Sequence, residues 1–154
     1  MTSPEVVGSW RLTSVAVSPA GARVEVPDGW IAQTGPPTVV TPSTWLGEPP
    51  AIVVSAERDE LRGRALAAAV ARAAADRLVD PVIVGLDLVG DVGQGPDVEI
   101  VVAHRHRGVD VTTVERHHRR GDLRWVVAFT AAHADAPALL PLAQRVVASL
   151  TIGP

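Results

Sequence analysis

The sequence predicts one α+β domain over residues 1–154, an antiparallel β-sheet meander flanked by two helices. Three observations support this fold class. The second half consists of β-type runs separated by short turns, one alanine-rich run has a helical composition, and the chain ends in apolar residues at helical spacing. A chain of 154 residues with 47% apolar residues is large enough for one buried core.

The first third of the chain contains three predicted strands. "WRLTSVAV" (10–17) and "ARVEVP" (22–27) alternate apolar and polar residues across the turn "SPAG", and "AIVVSA" (51–56) is a compact apolar run. The segment 31–50 between them carries five prolines. Because each proline removes a backbone donor, we expect this segment to form neither a helix nor a central strand.

The run from Asp59 to Leu78 predicts the first helix, since alanine, arginine and leucine are good helix formers. Asp59 is the candidate N-cap, and the core positions at helical spacing are Leu66, Val70 and Ala73. The helix face is mostly alanine. We therefore expect it to pack closely on the sheet, with Ala69 and Ala73 inside the contact.

The second half predicts a meander of four strands, at 81–90, 97–107, 109–119 and 123–131. If the last two turns lie at Arg107-Gly108 and Gly121-Asp122, the register of the strands follows. It places Glu99 opposite Arg116, Val101 opposite Val114, and Val114 opposite Phe129. Opposite charges and apolar side chains then face each other, which is the arrangement that cross-strand pairing favours.

The chain ends in a predicted second helix, with apolar residues at Leu139, Leu142, Val146 and Leu150. Pro137 and Pro141 restrict a regular helix, so we expect it to begin near Pro141.

Composition excludes several classes of function. The net charge of −3 argues against nucleic-acid binding, and the absence of cysteine excludes disulfides, thiol nucleophiles and Cys-based zinc sites. All fourteen basic residues are arginine, which is typical of GC-rich, actinobacterial coding. No leader and no membrane-length apolar run are visible, so we expect no membrane span and a cytoplasmic protein.

The histidines offer the main chemical alternative. They are His104, His106, His117, His118 and His133. His104 and His106 share a strand face and are able to chelate a metal, but neither carboxylate nor cysteine completes the ligand set. We therefore predict no metal and no cofactor. A small-ligand or metal-binding protein, or an enzyme, that uses the hairpin 104–118 stays the alternative.

The motifs of serine hydrolases and of dinucleotide binding are missing from the sequence. There is no G-x-S-x-G, and the glycines of "GDVGQG" (90–95) have the wrong spacing for a dinucleotide loop. The arginine- and histidine-rich strip from Arg105 to Arg124 is interpreted as a solvated sheet face, although such a strip is also able to attract phosphate or an acidic partner. We predict that the protein is not an enzyme.

The order of elements, together with "VPDGW" (26–30), "AIVVSA" (51–56) and "VVASLTI" (146–152), resembles the PsbP-like superfamily over residues 10–152. This superfamily includes the extrinsic photosystem subunit, the yeast Mog protein that binds Ran, mycobacterial LpqN/LpqT lipoproteins and the Eag chaperones of type VI secretion. The resemblance implies an αβα sandwich and a non-catalytic adaptor or chaperone. Its partner would be a protein, such as a secreted effector or a secretion component, and a homodimer stays open.

Three residues are the candidates for partner binding. Trp45 and Leu46 lie in the proline-rich segment between polar turn residues, and large side chains of this kind are enriched among interface hot spots. Trp30 directly follows the turn "PDG". For Trp30 an anchoring role on the sheet is the first interpretation, and a place in a binding groove is the second.

Overall fold

The computed structural model describes residues 5–7, 10–18, 21–42, 49–90 and 97–153, and it has the predicted α+β architecture. The strands of these ranges are β1 (Glu5–Val7), β2 (Trp10–Val17), β3 (Ala22–Pro27), β4 (Ile31–Gln33), β5 (Thr38–Thr41), β6 (Ala51–Arg58), β7 (Val79–Val89), β8 (Asp97–His106), β9 (Val109–Arg120), β10 (Leu123–Ala132) and β11 (Thr151–Ile152). The helices are α1 (Gly63–Arg77) and α2 (Ala136–Ala148), and a short 3-10 helix (His133–Asp135) precedes α2. No helix in these ranges is long and apolar enough to cross a bilayer.

The strands form two antiparallel sheets. The large sheet has the order β4-β5-β6-β10-β9-β8-β7, and the small sheet has the order β1-β2-β3-β11. α2 and the small sheet cover one face of the large sheet, while α1 lies on the other face, against β7 and β8. The layers are therefore α1, the large sheet, and α2 with the small sheet.

The register of the meander is as predicted. β8 and β9 pair Glu99 with Arg116 and Val101 with Val114, and β9 and β10 pair Val114 with Phe129. The first turn is the tight one that the sequence suggests, because Arg107 and Gly108 have φ angles of 52° and 79°. Positive φ at both central residues is typical of a type I′ hairpin turn, whose twist matches that of the flanking strands.

The main core lies between the large sheet, the small sheet and α2. Its members include Leu12, Val24, Val26, Ile52, Val54, Trp125, Val127, Phe129, Leu142, Val146 and Val147. A second, smaller core lies under α1, where Leu66, Val70 and Ala74 meet Val98, Ile100 and Val102. The two faces of the large sheet are thus covered very unequally.

Two details of the α1 prediction are wrong. The helix begins at Gly63, and Asp59 does not cap it, because the Asp59 carboxylate binds Arg119 on β9 instead. The third buried position is Ala74 and not Ala73. Successive residues point about 100° apart around a helix, so this shift turns Ala73 away from the small core.

The prediction that α2 begins near Pro141 is also wrong, because the helix already begins at Ala136. Pro137 sits in the first turn, where a missing N–H costs no intrahelical hydrogen bond. Pro141 does remove one bond, but the buried Leu142, Val146 and Val147 hold the helix on the sheet.

The proline-rich segment forms more structure than expected. Thr38 to Thr41 form β5, which pairs with β4 on one side and β6 on the other, so it is not an edge strand. This is compatible with the sequence because Pro37 and Pro42 flank β5 and do not interrupt it. The expectation that the segment lacks an internal strand is therefore wrong for these four residues.

Candidate binding groove

A groove lies beside α1 on the large sheet. Since α1 packs on β7 and β8, the neighbouring β9, β10 and β6 carry no helix on this face in the described part of the chain. The space between α1 and these strands measures about 530 Å³. A second space of about 220 Å³ continues it between α1 and the strands, as far as His104 and Thr130.

Small apolar side chains leave part of the groove open. Val53, Val126 and Ala128 form part of its floor, and Ala69 and Ala73 form part of the wall on α1. All five are partly exposed. The expected close packing of Ala69 and Ala73 on the sheet is therefore wrong, since these two alanines border open space.

Charged side chains surround this apolar floor. Arg124 binds the carboxylates of Glu57 and Asp59, the latter at 3.0 Å. Arg77, at the last turn of α1, donates from Nε to the carbonyl oxygen of Ala73 at 3.4 Å and lies along the groove. The groove is thus able to accept a segment with apolar residues on one side and charges of both signs at its margins.

A hydrogen-bonded carboxylate and imidazole lie in the groove. His117 is buried, and its Nε2 donates to Oε1 of Glu115 at 2.5 Å. Burial alone raises the pKa of Glu115, but the hydrogen bond and charge of His117, followed by Arg77 and Arg124, hold that pKa below its ordinary value. Glu115 is therefore an ionised group at neutral pH and not a general acid.

The pair Glu115–His117 does not form a nucleophilic triad with Ser55, the serine that lines the groove. Val126 pairs with Ser55 on one side and with His117 on the other, so a whole strand separates the two residues. Two strand spacings amount to about 10 Å, which is far beyond a hydrogen bond.

A buried arginine on β9 holds the segment that contributes Leu61 to the groove. Arg119 is 2% exposed, and its guanidinium binds the carbonyl oxygens of Asp59 and Leu61 at 2.8 and 2.6 Å and the Asp59 carboxylate. These bonds fix the segment that leads into α1 onto β9. Sequence reasoning missed this role, since its partners lie about 60 residues earlier in the chain.

The interpretation of the strip from Arg105 to Arg124 as a solvated face is wrong for its second half. His117, His118 and Arg119 are buried, whereas Arg105, His106 and Arg107 at the hairpin tip are exposed. The buried part splits between the two faces of β9, because successive side chains of a strand point in opposite directions.

On the face of β9 opposite the groove, basic side chains surround Asp97, which is 4% exposed. Its carboxylate lies 3.3 Å from Arg116, from Nδ1 of His118 and from Arg120. Burial raises the pKa of Asp97, but the His118 hydrogen bond and the charges of Arg120 and Arg116 outweigh burial and lower it. His118 also donates from Nε2 to the carbonyl oxygen of Val147 at 2.7 Å, which ties the cluster to α2.

The histidines do not converge on a metal. His104 contacts Thr113 at 2.8 Å, His133 contacts Thr112 at 2.9 Å, and burial lowers the pKa of His104. Within the ranges that the structure describes, no three His, Cys, Asp or Glu side chains are placed to hold a metal ion. The hairpin 104–118, on which the alternative of a ligand or metal site rests, contributes Glu115 and His117 to the groove and His104 to the second space.

Of the three candidate partner-binding residues, the structure describes only Trp30. Trp45 and Leu46 lie outside the described residues. Trp30 is partly buried on the α2 side of the large sheet. Its ring centroid lies 6.0 Å from that of Phe129 and 6.3 Å from that of Trp10, which it meets edge-on. Partner binding by these three residues stays a prediction.

Comparisons with known proteins relate the chain to others through structure only. No protein-family model matches the chain, and no curated protein sequence matches it. The solved structure of cyanobacterial PsbP from Synechocystis sp. PCC 6803 matches with a TM-score of 0.69 at 14% identity, over 99% of this chain and 98% of that one.

Two further solved structures resemble the chain. One is a Pseudomonas aeruginosa protein of unknown function, with a TM-score of 0.55 and 21% identity over 93% of this chain and 98% of that one. The other is LpqN of Mycobacterium tuberculosis, which is involved in cell envelope biogenesis, with a TM-score of 0.57 and 19% identity over 93% of this chain and 91% of that one. The chain therefore has the fold of the PsbP-like superfamily.

Proposed function

We propose that this protein is a non-catalytic protein-binding module, an adaptor or chaperone that holds a segment of a partner protein in the groove beside α1. The observation that carries the proposal is the groove itself, about 530 Å³ of open space on a sheet face that α1 covers only in part. Small apolar side chains on its floor and charges at its margins suit an amphipathic segment.

The proposal extends to the partner and its location. The resemblance to secretion chaperones makes a secreted effector or a secretion component, met in the cytoplasm, the first partner class to test. Trp45 and Leu46 precede β6, which supplies Val53, Ser55 and Glu57 to the groove, so we propose that they anchor the same partner. Trp30 would contribute a separate contact on the other face of the sheet.

The groove is tested by filling it. Ala73→Phe places a ring in the groove, and Ala68→Phe places the same ring on the exposed side of the same helix. Both variants and the native protein are used for affinity capture from the native host, followed by titration of each captured candidate in purified form. We expect Ala73→Phe to weaken direct binding at least about tenfold, and Ala68→Phe to bind normally. A set of partners that binds all three proteins equally would refute the groove as the site.

A small-ligand protein is the second candidate function. The volume of the groove lies in the range of about 300–1,000 Å³ that is usual for ligand pockets, and Glu115 and His117 supply polar groups beside an apolar floor. Native mass spectrometry of the protein purified gently from its host distinguishes the two functions. A small molecule that is retained by Ala68→Phe and lost from Ala73→Phe favours this second function, whereas a groove-dependent protein favours the first.

A further inference from the structure

The outer edge of β7 and one side of α1 form a continuous apolar surface, which we call the edge patch. Its residues on β7 are Ile83, Val84, Leu86 and Leu88, whose exposed fractions run from 37% to 67%. Its residues on α1 are Ala67, Ala71 and Ala75, which recur at four-residue spacing on the side of the helix away from the groove. Among the described strands, none pairs with the outer edge of β7.

We propose that the edge patch binds a second copy of this chain across a two-fold axis. β7 of one protomer would pair antiparallel with β7 of its partner, and the two α1 helices would pack side by side in the layer above. Such an interface is isologous, with the same surface contributed twice. It is independent of the groove, which lies on the other side of α1.

The spacing of the layers supports a second copy as the occupant. Strands in a sheet lie about 4.8 Å apart, so α1, which packs on β7 and β8, has its axis roughly half a strand spacing inside β7. The two-fold axis would lie half a spacing outside β7. The two α1 helices are then about 10 Å apart, within reach of the 8–10 Å of packed helices. A foreign partner would need a strand and a helix at this same offset, which a second copy has by construction.

The sequence of β7 also fits self-pairing. Asp80 and Asp87 are its only charged residues, so nothing in the strand demands a partner of strongly opposite charge. With Leu86 on the two-fold axis, Leu86 faces its own copy, Asp87 faces Gly85, and Leu88 faces Val84. No two carboxylates oppose each other in this register, and apolar side chains face apolar ones.

Irregularities of β7 limit the regular self-pairing to Gly85–Asp87, because Leu88 of one copy faces Val84 of the other at a register shift against β8. Register shifts against β8 occur between Val79 and Val82 and between Ile83 and Gly85, and Pro81 lacks a donor. From Gly85 to Val89 the strand pairs regularly with β8. The self-paired stretch is therefore short, and the helices have to supply part of the contact.

The size of the patch indicates a reversible dimer. α1 is about 22 Å long, and two layers about 10 Å apart make the patch about 20 Å high, so each protomer would bury roughly 450 Å². The total of about 900 Å² falls below the roughly 1,200–2,000 Å² of stable complexes and is typical of weak, transient ones. A dissociation constant in the micromolar range is therefore expected.

Sedimentation velocity over a concentration series tests the dimer. Val84 is 67% exposed, so Val84→Glu leaves the protomer folded but buries a carboxylate opposite Leu88 of the partner. We expect it to raise the dissociation constant at least about tenfold. Val109, which is 48% exposed at the β8–β9 hairpin, is the matched control, and Val109→Glu should dimerise like the native protein. Thermal melts confirm that both variants are folded.

A cysteine scan tests the register directly, because the chain has no cysteine of its own. Leu86→Cys should form a disulfide between two copies under mild oxidation, and Val109→Cys should not. A chain that stays monomeric at several hundred micromolar would overturn the proposal. A dimer that is unaffected by Val84→Glu, or one in which Leu86→Cys does not cross-link, would overturn it too.

Discussion

Arg119→Met should lower the free energy of unfolding by about 2–4 kcal/mol, although the residue is an arginine in a strip that the sequence suggested to be solvated. Its guanidinium makes two hydrogen bonds to carbonyl oxygens, at 2.8 and 2.6 Å, and one to the Asp59 carboxylate. Methionine keeps the apolar stem but none of the donors. The segment between β6 and α1 then loses its attachment to β9.

The magnitude follows from the burial of each partner. A hydrogen bond to a charged group contributes about 1.5–3 kcal/mol, and the bonds of one guanidinium are not additive. Breaking a fully buried pair costs about 3–5 kcal/mol. The side chain of Asp59 is 23% exposed, so water partly replaces the lost arginine and the cost stays below the upper limit.

Equilibrium urea unfolding with linear extrapolation measures the effect, and Arg58→Met is the matched control. Arg58 binds Asp122 with side-chain exposures of 76% and 69%, so its loss should change the free energy of unfolding by less than about 0.5 kcal/mol. A loss below about 1 kcal/mol for Arg119→Met, or an equal loss in both variants, would refute the assignment of Arg119 as a buried clamp.

The pH dependence gives a second readout of the same contact. Burial raises the pKa of Asp59, but the hydrogen bond from Arg119 and the charge of Arg124 outweigh burial and bring it below 3.8. A carboxyl with a lowered folded pKa contributes stability above its unfolded pKa and loses it as the pH falls through the folded pKa. The native protein should therefore lose more stability below about pH 4 than Arg119→Met does.

Five further predictions concern packing, charge, partner binding and metal. Ala74→Leu should overpack the small core and lower the free energy of unfolding by about 1–3 kcal/mol. Ala73→Leu points into the groove and should leave the urea midpoint nearly unchanged. Equal midpoints for the two variants would contradict the position of α1. Asp97→Asn should cost about 3 kcal/mol at pH 7, because it removes the buried carboxylate that Arg116, His118 and Arg120 share. Burial raises the pKa of Glu99 above 4.5, so the ionised carboxylate opposes folding above that pH. Glu99→Gln should therefore not lower the urea midpoint at pH 7. A large fall in that midpoint would contradict this. Trp45→Ala should weaken partner capture at least about tenfold with little change in the melting temperature, and a variant that binds normally or unfolds would return Trp45 to a structural role. A chelator should leave the melting temperature unchanged, since a fall of several degrees would indicate a structural metal.

The register of the meander was predictable because local chemistry determines it. Turn residues at Arg107-Gly108 and Gly121-Asp122 fix the hairpins. Glu99 then lies opposite Arg116 without further assumption. A slip of one residue would have moved Val101 and Val114 to the wrong face, so few alternatives compete. Information of this kind is contained within about twenty residues of sequence.

The position of α1 was not predictable from the same kind of pattern. Hydrophobic spacing identifies a helix face, but alanines border that face on both sides, and Ala73 and Ala74 fit a periodic pattern almost equally well. Which alanine is buried depends on the lateral position of the helix over the sheet. That position is fixed by contacts distant in sequence, such as Arg119 with Asp59 and Leu61.

Both proposed binding surfaces have one physical origin in this lateral position. The axes of the first and last strands of a seven-stranded sheet lie about 29 Å apart, whereas a helix is only about 10 Å wide and covers about two strands. A single helix on this face must therefore leave sheet uncovered, and α1 lies over β7 and β8, at one margin. The uncovered strands on one side become the groove, and the alanine side of the helix, with the exposed β7, becomes the edge patch. Because α1 is the shared wall, a partner in the groove and a second copy at the edge patch would contact opposite sides of the same helix without competing for a residue.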